Sequence, residues 1–264
     1  MSNGFMILTI SVGIVLASCT GKTTVTAPQP KKPAYILPVA GNTTGKVQIQ
    51  TVSGSISYPY NSYIITSIQG ETVIVDPTEM PPRELIDLDP AAIVSTHGHM
   101  DHVDPKYTAS YDCQKISYKK ADINTRDFHI YTVLSSHQGN VPGTSNVIMV
   151  FEVNGLRIAH MGDIGQQALT KEQLEELGKI DIAFMQFENN WSSMRLADEK
   201  GFKLIEQLQP SVVIPTHYTD AALPVLEKKY GAISDFTNVV SVSKTDIPEK
   251  PLTVWRILNT HKYQ

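Results

Sequence analysis

Short apolar segments separated by turn residues dominate the chain from about residue 46 to residue 160. Their lengths and their β-branched residues predict strands: Val47–Val52, Asn61–Ser67, Thr72–Val75, Ala91–Ser95, a group within Lys115–Leu134, Ser145–Val153 and Leu156–His160. The Asn154-Gly155 pair between the last two segments is typical of a β-hairpin turn. This part of the chain is therefore predicted to be rich in β-structure.

The pattern changes after residue 160, where helical and strand-like segments alternate. The predicted helices are Lys171–Leu177 and Asp198–Leu208, and the second places Phe202, Ile205 and Leu208 on one face. The predicted strands are Ile180–Phe187, Val212–Pro215, Val239–Val242 and Leu252–Ile257. Strands that cluster early and alternate with helices later predict the α/β (α+β) class, with helices packed against sheets.

A dense polar cluster follows the apolar segment Ala91–Ser95. It reads Thr96-His97-Gly98-His99-Met100-Asp101-His102, and imidazoles and carboxylates are the side chains that bind zinc and similar ions. Side chains two residues apart on an extended segment point the same way, so His97 and His99 are predicted to share one ion. Asp101 and His102 come after the bend at Gly98 and face a neighbouring position, where a second ion is expected.

Three more candidate ligands each follow an apolar segment. His137 follows Ile130–Leu134, Asp163 follows Leu156–Gly162, and His217 follows Val212–Thr216. The simplest allocation gives His97, His99 and His137 to the first metal ion and Asp101, His102 and His217 to the second. The carboxylate of Asp163 then bridges both ions.

In this order the seven residues resemble the full ligand pattern of the metallo-β-lactamase superfamily. The segments His160-Met161-Gly162-Asp163 and Ile214-Pro215-Thr216-His217-Tyr218 are most similar to the branch that contains L-ascorbate-6-phosphate lactonase and related metal-dependent hydrolases. N-acyl-phosphatidylethanolamine phospholipase D is a more distant relative by this pattern. The resemblance spans about Lys46 to Arg256 and implies a four-layer αββα sandwich, with metals at one edge of two facing sheets.

Such a centre predicts hydrolysis. Two divalent ions hold a bridging hydroxide and lower the pKa of its parent water, which can then attack an ester, lactone, amide or phosphodiester bond. Asp101 or Asp163 is expected to take a proton in turnover. Zinc is the favoured metal, with manganese or iron as alternatives. The rival hypotheses are a phospholipase-D-like phosphodiesterase that acts on membrane lipid and a non-catalytic metal-binding lipoprotein.

Candidate substrate contacts lie close to the predicted ligands. Asn189, Asn190 and Trp191 follow the strand Ile180–Phe187, and the alternative is a capped loop with no role in binding. Tyr218 follows His217 and is a candidate donor to a developing oxyanion, or it simply packs.

Three other polar residues have less pattern around them. Asp76 either orients a metal-bound imidazole or is a turn residue before Pro77. His160 is predicted to pack or to support the site without binding metal. His261, near the end of the chain, is expected to be exposed.

The first 18 residues resemble a bacterial lipoprotein signal peptide. Phe5–Ala17 is mostly apolar, and Leu16-Ala17-Ser18-Cys19 predicts cleavage before Cys19 followed by lipidation of that residue. Because Met1–Gly4 contains no Lys or Arg, an ordinary secretory signal or a short N-terminal anchor is the alternative. Residues 19–45 are a predicted tether, and residues 46–264 a single hydrolase domain. Thr20 after the cysteine favours the periplasmic side of the outer membrane in a two-membrane bacterium.

The charge and the cysteines restrict the partners. The formal net charge is −4 and no long basic run occurs, so a nucleic-acid partner is not expected. The expected partner is a small-molecule or lipid substrate, with membrane contact only through the lipid anchor. Cys113 is the one other cysteine and has no disulfide partner if Cys19 is lipidated.

Overall fold

The computed structural model of the protein describes Met1 and residues 42–86 and 88–263. The predicted signal peptide, Cys19 and most of the predicted tether lie outside these residues. The elements named below all belong to one compact unit, residues 34–264. No helix within the described ranges is long and apolar enough to span a bilayer.

Short strands make up most of this unit. Among the described residues the strands are β1 (Val47–Thr51), β2 (Tyr63–Thr66), β3 (Thr72–Val75), β4 (Ala92–Ser95), β5 (Gln114–Ser117), β6 (Asp122–Asn124), β7 (Phe128–Ser135), β8 (Asn146–Val153), β9 (Leu156–His160), β10 (Ile182–Met185), β11 (Val212–Pro215), β12 (Ser234–Thr237), β13 (Val239–Val242) and β14 (Thr253–Leu258). The α-helices are α1 (Pro105–Ala109), α2 (Lys171–Leu177), α3 (Lys200–Leu208) and α4 (Ala222–Tyr230).

The strands form two mixed sheets. The first has the order β13-β1-β2-β3-β4-β5, and the second has the order β12-β14-β11-β10-β9-β8-β7-β6. Strands β3, β4 and β5 run parallel, as do β9, β10 and β11, while the hairpins β1–β2, β7–β8 and β8–β9 are antiparallel. The mixed α/β class predicted from the sequence is therefore confirmed.

Three apolar clusters define the layers. The inner cluster packs one face of the first sheet, with Val73 and Val94, against one face of the second, with Phe151 and Phe184. The outer face of the second sheet packs against α2, α3 and α4. The outer face of the first sheet packs against Tyr107 of α1 and the segment around residues 86–88. Helices thus cover both outer faces of two stacked sheets, which is the αββα sandwich expected above.

The strand directions bring many loops to one edge. Parallel strands end at the same edge of a sheet, and an antiparallel neighbour begins there. The carboxyl ends of β4, β7, β9, β10 and β11 therefore share one edge with the β1–β2 loop and the start of β6. We call it the ligand edge, because every predicted metal ligand follows one of these strands.

The structure corrects several predictions. The predicted strand group Lys115–Leu134 consists of β5, β6 and β7, whereas α3 begins at Lys200 instead of the predicted Asp198, after a 3₁₀ turn at Leu196–Asp198. The helix α4 was not predicted from the sequence. In the structure Pro224 lies in the first turn, where its missing N–H has no helical partner to lose. His261 is buried and donates a ring N–H to the Thr51 carbonyl at 2.7 Å, so its predicted exposure was wrong.

Candidate metal centre

The seven predicted ligands meet at the ligand edge in two groups. Their ligand atoms lie within 4.8 Å of one another inside each group. The first group is His97, His99, His137 and Asp163, and the second is Asp101, His102, Asp163 and His217. This membership is the one that the strand-end argument predicts, and the binding of metal by each residue stays a prediction.

Asp163 is shared because its two carboxylate oxygens face different groups. Oδ2 lies 3.5 Å from His97 Nε2 and 3.6 Å from His137 Nε2. Oδ1 lies 3.3 Å from His102 Nε2 and 3.2 Å from His217 Nε2. One carboxylate between two clusters of imidazole nitrogens is the geometry of a bridging ligand.

The unsatisfied atoms of the cluster fit a cation. Among the described residues, His97 Nε2, His137 Nε2 and Asp163 Oδ1 are buried and have no hydrogen-bond partner. Buried polar atoms without a partner are rare because they cost free energy. Here His97 Nε2 and His137 Nε2 belong to the first group and Asp163 Oδ1 faces the second, and all three are metal-ligand types, so divalent ions in the two groups would satisfy them.

Asp76 forms hydrogen bonds with the loop after β4, which carries His97 and His102. It is fully buried, and its carboxylate accepts hydrogen bonds of 2.7 Å from the Thr96 N–H, the Thr96 hydroxyl and His102 Nδ1. A proton on Nδ1 leaves the Nε2 lone pair of His102 free to face the centre. Asp76 also has φ 48° and precedes Pro77, so it is both the turn residue and the orienting residue between which the sequence left the choice open.

Asp163 is held by an equally specific set of contacts. The Asn146 Oδ1 accepts the Asp163 N–H at 3.0 Å, and the Asn189 Nδ2 donates to Asp163 Oδ2 at 2.5 Å. Gly162 before it has φ 57°, and a Cβ there would collide with the side chains of Thr96 and Asn146. Glycine at this position therefore lets the chain turn close to the first sheet and present the carboxylate.

Asn61 is a site residue that the sequence did not reveal. Its buried amide Nδ2 lies 3.1 Å from His217 Nε2, 3.3 Å from His102 Nε2 and 3.1 Å from the Asp101 carbonyl. It therefore touches three residues of the second group from the β1–β2 loop. A single asparagine in a loop carries no pattern, and only the fold brings it to the centre.

His160 stays apart from both ligand groups. Its Nδ1 accepts the Gly162 N–H at 3.1 Å, and its ring stacks on Phe184 at 5.0 Å. Burial lowers the pKa of His160 to about 4, so the ring is neutral at pH 7. It supports the turn before Asp163 and packs in the core.

The pKa shifts within the cluster are those of a site that can bind a cation. Burial, reinforced by the neighbouring His102 charge, lowers the pKa of His97 to about 2, so this imidazole is neutral at pH 7. Burial opposes charge on Asp163, but the His102 and His217 imidazoles outweigh it and hold the carboxyl pKa well below its usual value. Burial also opposes charge on His102, but Asp163 and Asp76 raise its pKa well above the usual value. The buried carboxylates of Asp76 and Asp163 thus favour positive charge beside them.

The predicted substrate contacts occupy different surroundings. Asn189 is buried and bonds Asp163, whereas Asn190 and Trp191 begin an exposed 3₁₀ turn. The Trp191 carbonyl accepts a hydrogen bond of 2.8 Å from Gln138, the residue after His137. Tyr218 is half-buried and stacks on Tyr60 at 5.1 Å. Substrate contact by each of the four stays a prediction.

Comparison with solved structures supports the fold. A candidate Zn-dependent hydrolase of the metallo-β-lactamase superfamily from Thermotoga maritima is 17% identical, with a TM-score of 0.59 over 80% of this chain and 100% of its own. A metal-dependent hydrolase candidate from Parabacteroides distasonis is 20% identical, with a TM-score of 0.51 over 69% of this chain and 87% of its own. Igni18, a metallo hydrolase from Ignicoccus hospitalis, is 15% identical, with a TM-score of 0.52 over 81% of this chain and 95% of its own.

The family assignment comes from the sequence itself. No functionally curated protein matches this chain. The family model of the β-lactamase superfamily domain matches residues 55–217, which include all seven predicted ligands and more than half of the chain. With this match, and with the sandwich and the two-group cluster in place, the chain belongs to the metallo-β-lactamase superfamily.

Proposed function

We propose that this protein is a dinuclear metal-dependent hydrolase that cleaves an ester or lactone, an amide or a phosphodiester bond. The observation that carries the proposal is the carboxylate of Asp163, whose two oxygens face two separate groups of ligand atoms. Two divalent ions in these groups would lower the pKa of a coordinated water toward 7 and polarise the bond under attack. The imidazole and carboxylate set favours zinc, with manganese or iron as alternatives.

Residues in and around the two ligand groups have separate roles in orienting the ligands and in transferring protons. Asp76 fixes the His102 tautomer, while Asn146 and Asn189 fix the position of Asp163. Asp101 has a side chain 14% exposed, whereas that of Asp163 is 1% exposed. Because a group that shuttles protons must exchange them with solvent, we assign proton transfer to Asp101 and metal bridging to Asp163.

Within the superfamily we place the chain in the branch of L-ascorbate-6-phosphate lactonase and related hydrolases. The support is local: Asp163 lies in a His-x-Gly-Asp context, and His217 lies in an Ile-Pro-x-His-Tyr context. This placement favours a lactone or ester over the other bonds. A phosphodiesterase that acts on membrane lipid is the second enzymatic hypothesis, and a non-catalytic metal-binding lipoprotein is the third.

The test is a substrate screen on metal-analysed protein. Generic lactone, ester, amide and phosphodiester probes are assayed with and without a chelator. We expect chelator-sensitive turnover of at least one class, which Asp163→Asn abolishes. The control Asp122→Asn removes a carboxylate from an exposed pair with His129 and should keep full activity. Metal bound at both sites without turnover of any probe would favour the non-catalytic hypothesis, and turnover restricted to phosphodiesters would favour the phosphodiesterase.

For location we propose export and lipid anchoring through Cys19, on the periplasmic side of the outer membrane in a two-membrane bacterium. The sequence Leu16-Ala17-Ser18-Cys19 supports this. Two or more acyl chains hold a protein stably at a membrane, whereas one holds it only marginally. Mass spectrometry of the mature N-terminus should find an acylated cysteine, and Cys19→Ser should release the protein from membranes. An unmodified N-terminus would argue against anchoring.

A further inference from the structure

Large apolar side chains are exposed mainly around the metal centre. Within residues 42–86 and 88–263, six such side chains are classed as exposed, with exposed fractions from 40% to 96%: Ile56, Met100, Tyr118, Val141, Trp191 and Val225. Val225 lies on α4, and the other five lie on loops. Those five loops all open at the ligand edge, because each follows or precedes a strand end there. We call these five residues the apolar rim.

Two members of the rim contact residues next to the first ligand group, and a third lies on a loop that carries one of its ligands. The Tyr118 ring lies 3.4 Å from the place that a Cβ on Gly98 would occupy, between His97 and His99. The backbone carbonyl of Trp191 accepts the 2.8 Å hydrogen bond from Gln138, next to His137. Val141 is on the same loop as His137. Met100 lies between two ligands, His99 and Asp101, so the rim extends towards the second group.

The loop that carries Ile56 is also attached beside the metal centre. Ser53 at its start and Met100 both bond Thr78: the Ser53 hydroxyl donates to the Thr78 carbonyl at 3.0 Å, and the Thr78 hydroxyl donates to the Met100 carbonyl at 2.9 Å. Asn61 at the end of the loop touches the second ligand group. Both ends of the Ile56 loop are therefore fixed beside the metal centre.

The rim surrounds a recessed polar centre, and this indicates the kind of occupant. His97, His137 and Asp163 are buried, while the rim side chains stand out into solvent on separate loops. Large apolar side chains that are exposed together at one place indicate a ligand-binding or interaction surface, whereas single scattered ones do not. A ligand that satisfies both parts has a polar head at the metals and an apolar chain along the loops. A formal charge of −4 disfavours an anionic bilayer as the occupant.

We propose that the apolar rim binds the acyl chain of an amphiphilic substrate whose hydrolysable head lies at the metal centre. This rests on the proposed hydrolase function, and it names the substrate class. Complete burial of a methylene group corresponds to about a fourfold gain in affinity. Because the rim would cover an acyl chain from one side only, we expect affinity to rise about twofold per methylene. This corresponds to roughly 16-fold between a six-carbon and a ten-carbon acyl chain.

The binding test uses the protein's own fluorescence. The chain has two tryptophans, Trp191 and Trp255, so Trp255→Phe leaves the rim tryptophan as the one indole. The metal-loaded full chain is titrated with hexanoate and with decanoate below its micelle concentration. Emission of Trp191 should shift to shorter wavelength, with decanoate bound roughly 16-fold more tightly than hexanoate. No shift, or equal affinities for the two acids, would overturn the proposal.

A matched pair of valine variants tests the location. Val141→Ser on the rim should weaken decanoate binding several-fold and hexanoate binding less. Val225→Ser, which changes an exposed valine on α4, should leave both unchanged. Equal effects of the two variants would refute a rim-specific contact. A response of Trp191 to phosphatidylcholine vesicles but not to monomeric decanoate would mean membrane docking and would also overturn the proposal.

The hydrolysis assay separates this proposal from the proposed function. If the protein binds decanoate through Trp191 but hydrolyses no ester, the rim stands and the hydrolase function fails. If it hydrolyses esters with kcat/KM independent of acyl length from acetate to decanoate and Trp191 does not respond, the function stands and the rim proposal fails. Agreement of both readouts, with kcat/KM rising about twofold per methylene, supports the two together.

Discussion

Asp76→Asn is a substitution that should weaken the second metal ion without disturbing the backbone. Asp76 has φ 48°, in the left-handed region that asparagine also tolerates. The change keeps the shape of the side chain and removes only its charge and one acceptor. Any effect on metal binding therefore comes from the three hydrogen bonds of 2.7 Å that the carboxylate accepts.

The critical bond is the one to His102. If the new amide oxygen accepts the Thr96 N–H, the amide nitrogen faces His102 Nδ1, and two donors cannot bond. His102 must then move its proton to Nε2, the atom that faces the metal. A hydrogen bond to a charged group contributes about 1.5–3 kcal/mol. At about 1.4 kcal/mol per factor of ten, the second ion should bind roughly 10- to 150-fold more weakly.

Competition with a chromogenic chelator measures each ion separately. We expect the affinity of the second group to fall by that factor and the affinity of the first group, to which Asp76 makes no hydrogen bond, to change much less. Asp127→Asn is the matched control, since it removes another partly buried carboxylate, bonded to Ser67 and Arg126, away from the centre. Unchanged affinity for both ions in a folded Asp76→Asn protein would refute the tautomer argument.

Four further outcomes are expected. Elemental analysis after metal supplementation should find about two divalent ions per chain, and a reproducible value near zero would defeat the assignment. Asp163→Asn should lower hydrolysis at least roughly a hundredfold because both ions lose their shared ligand, while His160→Asn should lower it far less. The two variants are assayed in parallel, with circular dichroism as the folding control. A greater loss of activity in His160→Asn than in Asp163→Asn would contradict the assignment of the site. Asn61→Ala should weaken the second ion about tenfold in the same chelator titration, because it removes the 3.1 Å hydrogen bond that the Asn61 amide donates to the Asp101 carbonyl. An equal loss at the first group would speak against it. The pKa of His129 is raised, chiefly because His129 forms a hydrogen bond with Glu152. The stabilisation that His129 contributes is therefore present below about pH 6.5 and is lost as the pH rises through the folded pKa. In urea unfolding, His129→Gln should be less stable than wild type near pH 6 and equally stable at higher pH, and a stability difference that does not change with pH would refute this.

The ligands could be predicted from the sequence because each one terminates an apolar segment. Strand patterning locates the segments, and parallel strands bring their ends to one edge. His137 and His217 are 80 residues apart in sequence, yet this rule places them at one edge of the second sheet, and the stacking of the two sheets then brings His97 beside them. The class of fold follows from the same segments and their order.

The supporting residues could not be predicted in this way. Asn61 and Asn146 lie in or beside loops where an asparagine is usually a turn residue, and their partners are up to 156 residues away in sequence. The helix α4 was not predicted, and the burial of His261 depends on its contact with Thr51. Such features follow from how the sheets stack, which no local pattern records.

The shared centre has a consequence for the mechanical stability of the sandwich. His97 and His102 follow a strand of the first sheet, whereas His137, Asp163 and His217 follow strands of the second. An ion bound in either group would therefore draw ligands from both sheets and act as a cross-link between them. A ligand that binds only the folded state adds its binding free energy to stability.

Removing the metals would take away this cross-link at one edge and leave the inner apolar cluster to hold the sheets. The same edge concentrates buried charges and imidazoles that then lack partners. The seam between the sheets should therefore open first at this edge. In hydrogen exchange, the amides beside the ligand loops would lose protection before those at the opposite ends of the same strands. Metal binding would thus determine which edge of the sandwich unfolds first.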